Sequence, residues 1–73
     1  MQAREIRLWA TEEIQQRLED AYRELFVLRR EMSMGRLEDT NRIRMVKRDI
    51  ARMKTILRER DLLAGLLGEE VAQ

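Results

Sequence analysis

Seventy-three residues with no cysteine, no histidine and a net charge of +1 allow one domain with a small core, and they exclude disulfides, thiolate metal sites and a neutral-pH proton carrier. No cofactor and no catalytic activity are expected. No apolar run approaches the roughly 20 residues of a membrane span, and Arg4, Glu5 and Arg7 break up the apolar residues of the N-terminus, so a soluble, cytoplasmic protein without a signal peptide is expected.

In chain order, Ala3 to Trp9 contains Ile6, Leu8 and Trp9, and the pattern predicts one short helical turn folding back on apolar positions outside the main seam, such as Phe26 and Val27. The first long helix has Thr11 placed as N-cap, with Glu12 and Glu13 where negative charge meets the positive end of the helix dipole. Its apolar residues Ile14, Leu18, Ala21, Leu25, Leu28 and Met32 recur at steps of four and three, the seam of a helix packed along one narrow stripe. Gly35 supplies the left-handed residue that ends it.

The second long helix starts after Asp39, placed as N-cap, and carries a matching seam of Ile43, Val46, Ile50, Met53 and Leu57. The connection from Gly35 to Asp39 is too short for anything but a reversal, so the two helices are expected to lie antiparallel with their seams facing. The fold class is all-α: a long antiparallel two-helix hairpin with a short N-terminal helical segment, forming a single unit over residues 1–60. Residues 61–73 hold two Leu-Leu pairs, Gly65, Gly68 and three acids without a base, and they are expected to form a frayed helix extension passing into a mobile tail.

Charge is unevenly distributed along this hairpin. Residues 41–60 carry eight bases (Arg42, Arg44, Lys47, Arg48, Arg52, Lys54, Arg58 and Arg60) against Asp49 and Glu59, a local charge of +6. The flanking segments are acidic, and a dense basic helix in a small chain points to a polyanion. With Ile50 at zero and about 100° per residue, Lys54, Lys47, Arg58, Arg44 and Arg48 fall at about 40°, 60°, 80°, 120° and 160°, beside a seam between about −60° and +20°. Arg42, Arg52 and Arg60 point elsewhere. Ala51 and Thr55 sit among the five, and small residues there let a second backbone approach while long side chains reach to either side, an arrangement suited to RNA phosphates.

Other readings of the same residues stay open. The bases are also placed to pair with Glu19, Glu24 and Glu31 of the first helix or to form a solvated face, and a basic amphipathic helix suits an anionic membrane. An excess of six charges argues against internal pairing, and the matched seams argue against the membrane. Trp9, Tyr22 and Phe26 are able to stack on bases, although lone aromatics beside a seam more often serve packing. The methionines read as gap-fillers, and no phosphate-binding glycine loop, catalytic triad or metal-spaced carboxylate cluster is present.

The stretch RIRMVKRDIARMKTILRER from Arg42 to Arg60, with GRLED at 35–39, ELFVLR at 24–29 and AREIR at 3–7, resembles the large-subunit ribosomal protein family numbered twenty-nine over roughly residues 3–60. The resemblance implies a helical hairpin that is a structural constituent of the large ribosomal subunit. It also implies binding to large-subunit (23S-type) rRNA, near the nascent-peptide tunnel exit and beside the family numbered twenty-three. By the family's motif Arg44, Lys47, Arg48, Arg52 and Lys54 contribute to RNA binding, and Arg29 matches a further basic position. Thr40 stands where many relatives have proline. With Ala51, Thr55 and Arg58 from the helical projection, these residues make up the candidate RNA-binding site. The alternative function is a homodimeric hairpin, a four-helix bundle serving as an interaction or regulatory protein, which sedimentation of the isolated chain distinguishes.

Overall fold

The computed structural model describes residues 1–37 and 39–72 of the chain, with side chains described as far as residue 67. Three helices follow one another: α1 over Ala3–Ile6, α2 over Thr11–Ser33 and α3 over Asn41–Ala72. Among the described residues there is no strand, as the periodicity predicts.

The reversal between α2 and α3 is built by Gly35. Its φ of +70° is the left-handed conformation that costs a residue without Cβ least. The Arg36 N–H donates to the Glu31 carbonyl at 2.9 Å and the Gly35 N–H to the Met32 carbonyl at 3.1 Å, a Schellman closure that satisfies carbonyls the helix end would leave unpaired. On the far side the Asp39 carboxylate accepts the Asn41 N–H at 2.9 Å, the N-cap role expected of it. Glu38, within the same connection, lies outside the described residues.

The core has two parts. Near the turn, Leu25 packs with Ile43, Val46 and Ile50, joined by the half-buried Leu18, Ala21, Leu28 and Leu37. At the other end, Ile14 packs with Met53, Ile56 and Ile6 of α1, joined by Ala3, Trp9 and Leu57. The seams therefore face each other along most of their length. Met32, at the end of the α2 seam, is 49% exposed, because α3 begins only at Asn41 and covers little of the last turn.

Three expectations are corrected. The N-terminal segment does not fold back on Phe26 and Val27, both of which are exposed; it packs against α3, with Ile6 fully buried beside Met53 and Ile56. The reason is reach. Only residues 7–10 join α1 to α2, which holds α1 at the start of α2, whereas Phe26 lies about 22 Å further along at 1.5 Å per residue. Second, the far end of the α3 seam holds Ile56, 2% exposed, in addition to the expected Leu57, which is half-buried against the same cluster. In the projection Ile56 falls at about −120°, away from α2 but toward α1, so a third helix widens the buried stripe beyond what the two-helix periodicity gives.

Third, Thr11 is the first residue of α2 and Ala10 precedes it as cap, without a side-chain bond. The Thr11 hydroxyl instead accepts a hydrogen bond from Arg60 Nη1 at 2.9 Å. That contact also shows that the start of α2 is level with Arg60, so α3 overhangs the hairpin beyond it. Beyond Arg60, α3 continues as helix through Gly65 to Ala72. Leu62, Leu63, Leu66 and Leu67 on this overhang are exposed, since neither α1 nor α2 reaches them. Gln73 and the side chains from residue 68 onward lie outside the described residues.

Candidate nucleic-acid interface

The eight bases of residues 41–60 divide by the side of α3 on which they stand. Arg42, Arg52 and Arg60, at about −80°, −160° and −80° in the projection, lie on the side that α1 and the α2 acids cover. Each has a partner. Arg42 donates from Nε to Glu24 Oε1 at 2.7 Å, and its Nη2 completes the ion pair with the same carboxylate. Arg52 Nη1 donates to the Met1 carbonyl at 2.7 Å and lies 3.9 Å from Asp49. Arg60, besides its bond to Thr11, donates to the Arg7 carbonyl at 3.2 Å, while Arg7 pairs with Glu59 at 3.4 Å.

Among the described residues the other five have none. Arg44, Lys47, Arg48, Lys54 and Arg58 are exposed, and among the described residues none of them forms an ion pair or side-chain hydrogen bond. Of the acids available on α2 for internal pairing, Glu24 meets a base of α3, whereas Glu19 and Glu31 meet none among the described residues. Among the described residues, pairing thus accounts for one flank of the helix and leaves the other as a row of five cations without a partner, spread over four turns. Five like charges held this closely repel one another, and an external anion relieves that repulsion.

Ala51 and Thr55 lie within this row, both exposed. The Thr55 hydroxyl donates to the Ala51 carbonyl one turn back, at 2.8 Å, so the side chain lies close along the helix and the surface between the cations is low. Open depressions line the row at both ends, one formed by Lys54, Thr55, Leu57, Arg58 and Asp61 and one by Met32, Thr40, Ile43, Arg44 and Lys47. Arg29 is exposed on α2 near the turn. The structure brings seven of the nine candidate residues onto one face of α3, leaves Arg52 off that face in contact with the N-terminus, and carries Arg29 on the neighbouring helix. Arg30, next to it, is also exposed and is a cation that the motif did not single out; its only signal in the sequence is adjacency.

The aromatic residues separate as well. Trp9 is half-buried against the α1 cluster, with the Arg17 guanidinium 4.0 Å above its ring, and serves packing. Tyr22 and Phe26 do not; both are exposed. Among the described residues no group of three or more acidic side chains is placed to hold a metal, and no helix is long and apolar enough to cross a membrane.

Comparison with known proteins places these features in a family. The family model described as Ribosomal L29 protein matches residues 4–60, from α1 to the last base of the row's helix segment. A relative from Geobacillus stearothermophilus, named large ribosomal subunit protein uL29, is 55% identical over 65 residues, covering 89% of this chain and 98% of its own length. Relatives of the same name from Roseiflexus castenholzii and Thermotoga maritima are 55% and 50% identical over 62 residues, each covering 85% of this chain and 94% of the relative.

Proposed function

The chain belongs to the ribosomal L29 protein family, and we propose from this that it is a non-enzymatic structural constituent of the large ribosomal subunit, working in the cytoplasm as part of the ribosome. It binds large-subunit rRNA through the free face of α3. The observation that carries the RNA reading is the division of the bases: three are held by partners within the chain, and five on one face meet no partner among the described residues.

Mechanistically, α3 is a rigid rod whose Arg44, Lys47, Arg48, Lys54 and Arg58 neutralise phosphates, with the low surface at Ala51 and Thr55 letting the RNA backbone approach. Arg side chains favour bidentate contact with phosphate oxygens. The seam on α2 keeps the rod straight, and α1 locks its middle through Ile6. Arg42 and Arg60 are structural in this reading, Arg52 lies off the face, and Arg29 adds a cation from α2. The finer placement, near the nascent-peptide tunnel exit and beside the protein of family twenty-three, follows from the family resemblance; cross-linking within assembled subunits tests it.

The RNA reading is tested by titrating the full chain against a transcript of its own large-subunit rRNA over a range of salt. Five phosphate contacts give a slope of about −3.5 to −4.5 in log K against log salt. A response near zero contradicts electrostatic binding by this face. Sedimentation of the same preparation without RNA addresses the homodimer reading, which requires a stable dimer.

A further inference from the structure

Tyr22 and Phe26 stand one turn apart on α2 and are 45% and 67% exposed. Neither packs into either core cluster, and the N-terminal segment that their position invites lies at the other end of the helix. A large aromatic ring left in water is an unfavourable use of a position that a polar residue would fill as well. Their place relative to the cations gives them a use.

Counted from Leu25 at about 100° per residue, Tyr22 falls at about 60° and Phe26 at about 100° on α2. In an antiparallel pair with facing seams, one chain runs away from the viewer and the other toward, so positive angles on both helices lie on the same flank. Arg42 and Glu24 check this: they fall at about −80° and −100° on their own helices, and they form an ion pair on the opposite flank. Tyr22 and Phe26 therefore share a flank with Lys47, Arg44 and Lys54. The Arg42–Glu24 contact at one level and the packing of Ile14 on Met53 and Ile56 at another set the register. They bring the two rings level with roughly residues 40–48 of α3, by Arg44 and Lys47.

We propose that Tyr22 and Phe26 form a stacking platform for unpaired nucleotides of the RNA whose phosphates the free face of α3 holds. The proposal rests on the RNA reading of that face. Aromatic rings flanked by cations suit single-stranded RNA, because every base has a stacking face and each nucleotide brings a phosphate to the neighbouring charge. A duplex keeps its base faces stacked internally and has none to offer. An apolar protein surface is the less suitable occupant, since docking it here would desolvate Arg44 and Lys47 without neutralising them.

The test uses the full chain, the large-subunit rRNA transcript, and the variants Phe26→Ala, Phe26→Leu and Phe26→Tyr, each checked for helix content by circular dichroism. Stacking predicts a loss of about 5- to 150-fold in affinity for Phe26→Ala, a comparable loss for Phe26→Leu, recovery with Phe26→Tyr, and a salt slope unchanged in all three. Wild-type affinity in Phe26→Leu overturns the platform and assigns the ring to apolar contact, with a protein partner as the remaining occupant. Wild-type affinity in Phe26→Ala overturns it too. In both cases a steep salt slope leaves the phosphate reading standing, whereas a wild-type protein that binds the transcript without salt dependence overturns both.

Discussion

Replacing Ile56 and Leu57 separately by alanine distinguishes a two-helix core from the three-helix core seen here. Ile56 is 2% exposed and touches the cluster of Ile6, Ile14 and Met53, so its truncation removes buried methyl groups and leaves a cavity that the short α1 has little freedom to fill. Large-to-small changes of this kind cost about 2 to 5 kcal/mol. Leu57 is half-buried at the edge of the same cluster, and the cost there is expected to be about half as large, in proportion to the apolar area removed. A chain of this length has a total stability of only about 4 to 11 kcal/mol at the usual value per residue. Ile56→Ala is therefore expected to lose much of its helical signal in isolation. Urea denaturation followed by far-ultraviolet circular dichroism measures both variants. Saturating rRNA at 100 times its Kd restores about 2.7 kcal/mol if only the folded chain binds. If Leu57→Ala is the more destabilised variant, the docking of α1 on Ile56 is wrong and the simple two-helix seam is right.

Gly35→Ala forces a Cβ into a left-handed conformation with nothing within 4 Å to clash, so the cost is backbone strain alone, about 1 kcal/mol, and Gly35→Asn is expected to cost less in the same denaturation. Gly65→Ala, in open space on the α3 overhang, is expected to raise helix content and stabilise the helix by up to about 1 kcal/mol, read from circular dichroism. Ala51→Glu introduces a negative charge between the cations while keeping a good helix former, so RNA affinity is expected to fall with helix content nearly unchanged; unchanged affinity places the interface elsewhere on α3.

The hairpin was legible because its two causes are local. Steps of three and four from Ile14 to Leu28 and from Ile43 to Met53 define stripes of matched length, and Gly35 with Asp39 marks the reversal between them. The free basic face was legible for the same reason, since the angle of each base around α3 follows from residue spacing. What was not legible depends on the third element. Four residues of link decide where α1 lands, and its landing buries Ile56, diverts Thr11 from capping to Arg60, and leaves Phe26 uncovered. None of these follows from the periodicity of either long helix, because each requires knowing which surface a distant segment covers. The exposure of Tyr22 and Phe26 was hidden in the same way: beside a seam, aromatic residues read as packing, and the element expected to cover Phe26 is found elsewhere.

The most direct measurement compares neutralisation on and off the free face. Lys47→Gln, Arg48→Gln and Arg58→Gln are each expected to weaken binding of the full chain to its large-subunit rRNA and to reduce the salt slope by about 0.7 to 0.9. Arg42→Gln and Arg60→Gln, whose guanidiniums are held by Glu24 and Thr11, are expected to leave the slope unchanged and to alter thermal stability by about 1 kcal/mol or less for the exposed Arg42 pair. Equal slope changes on both sides of α3 would contradict the account, because the RNA would then be reading overall charge and not the face that the fold leaves unpartnered.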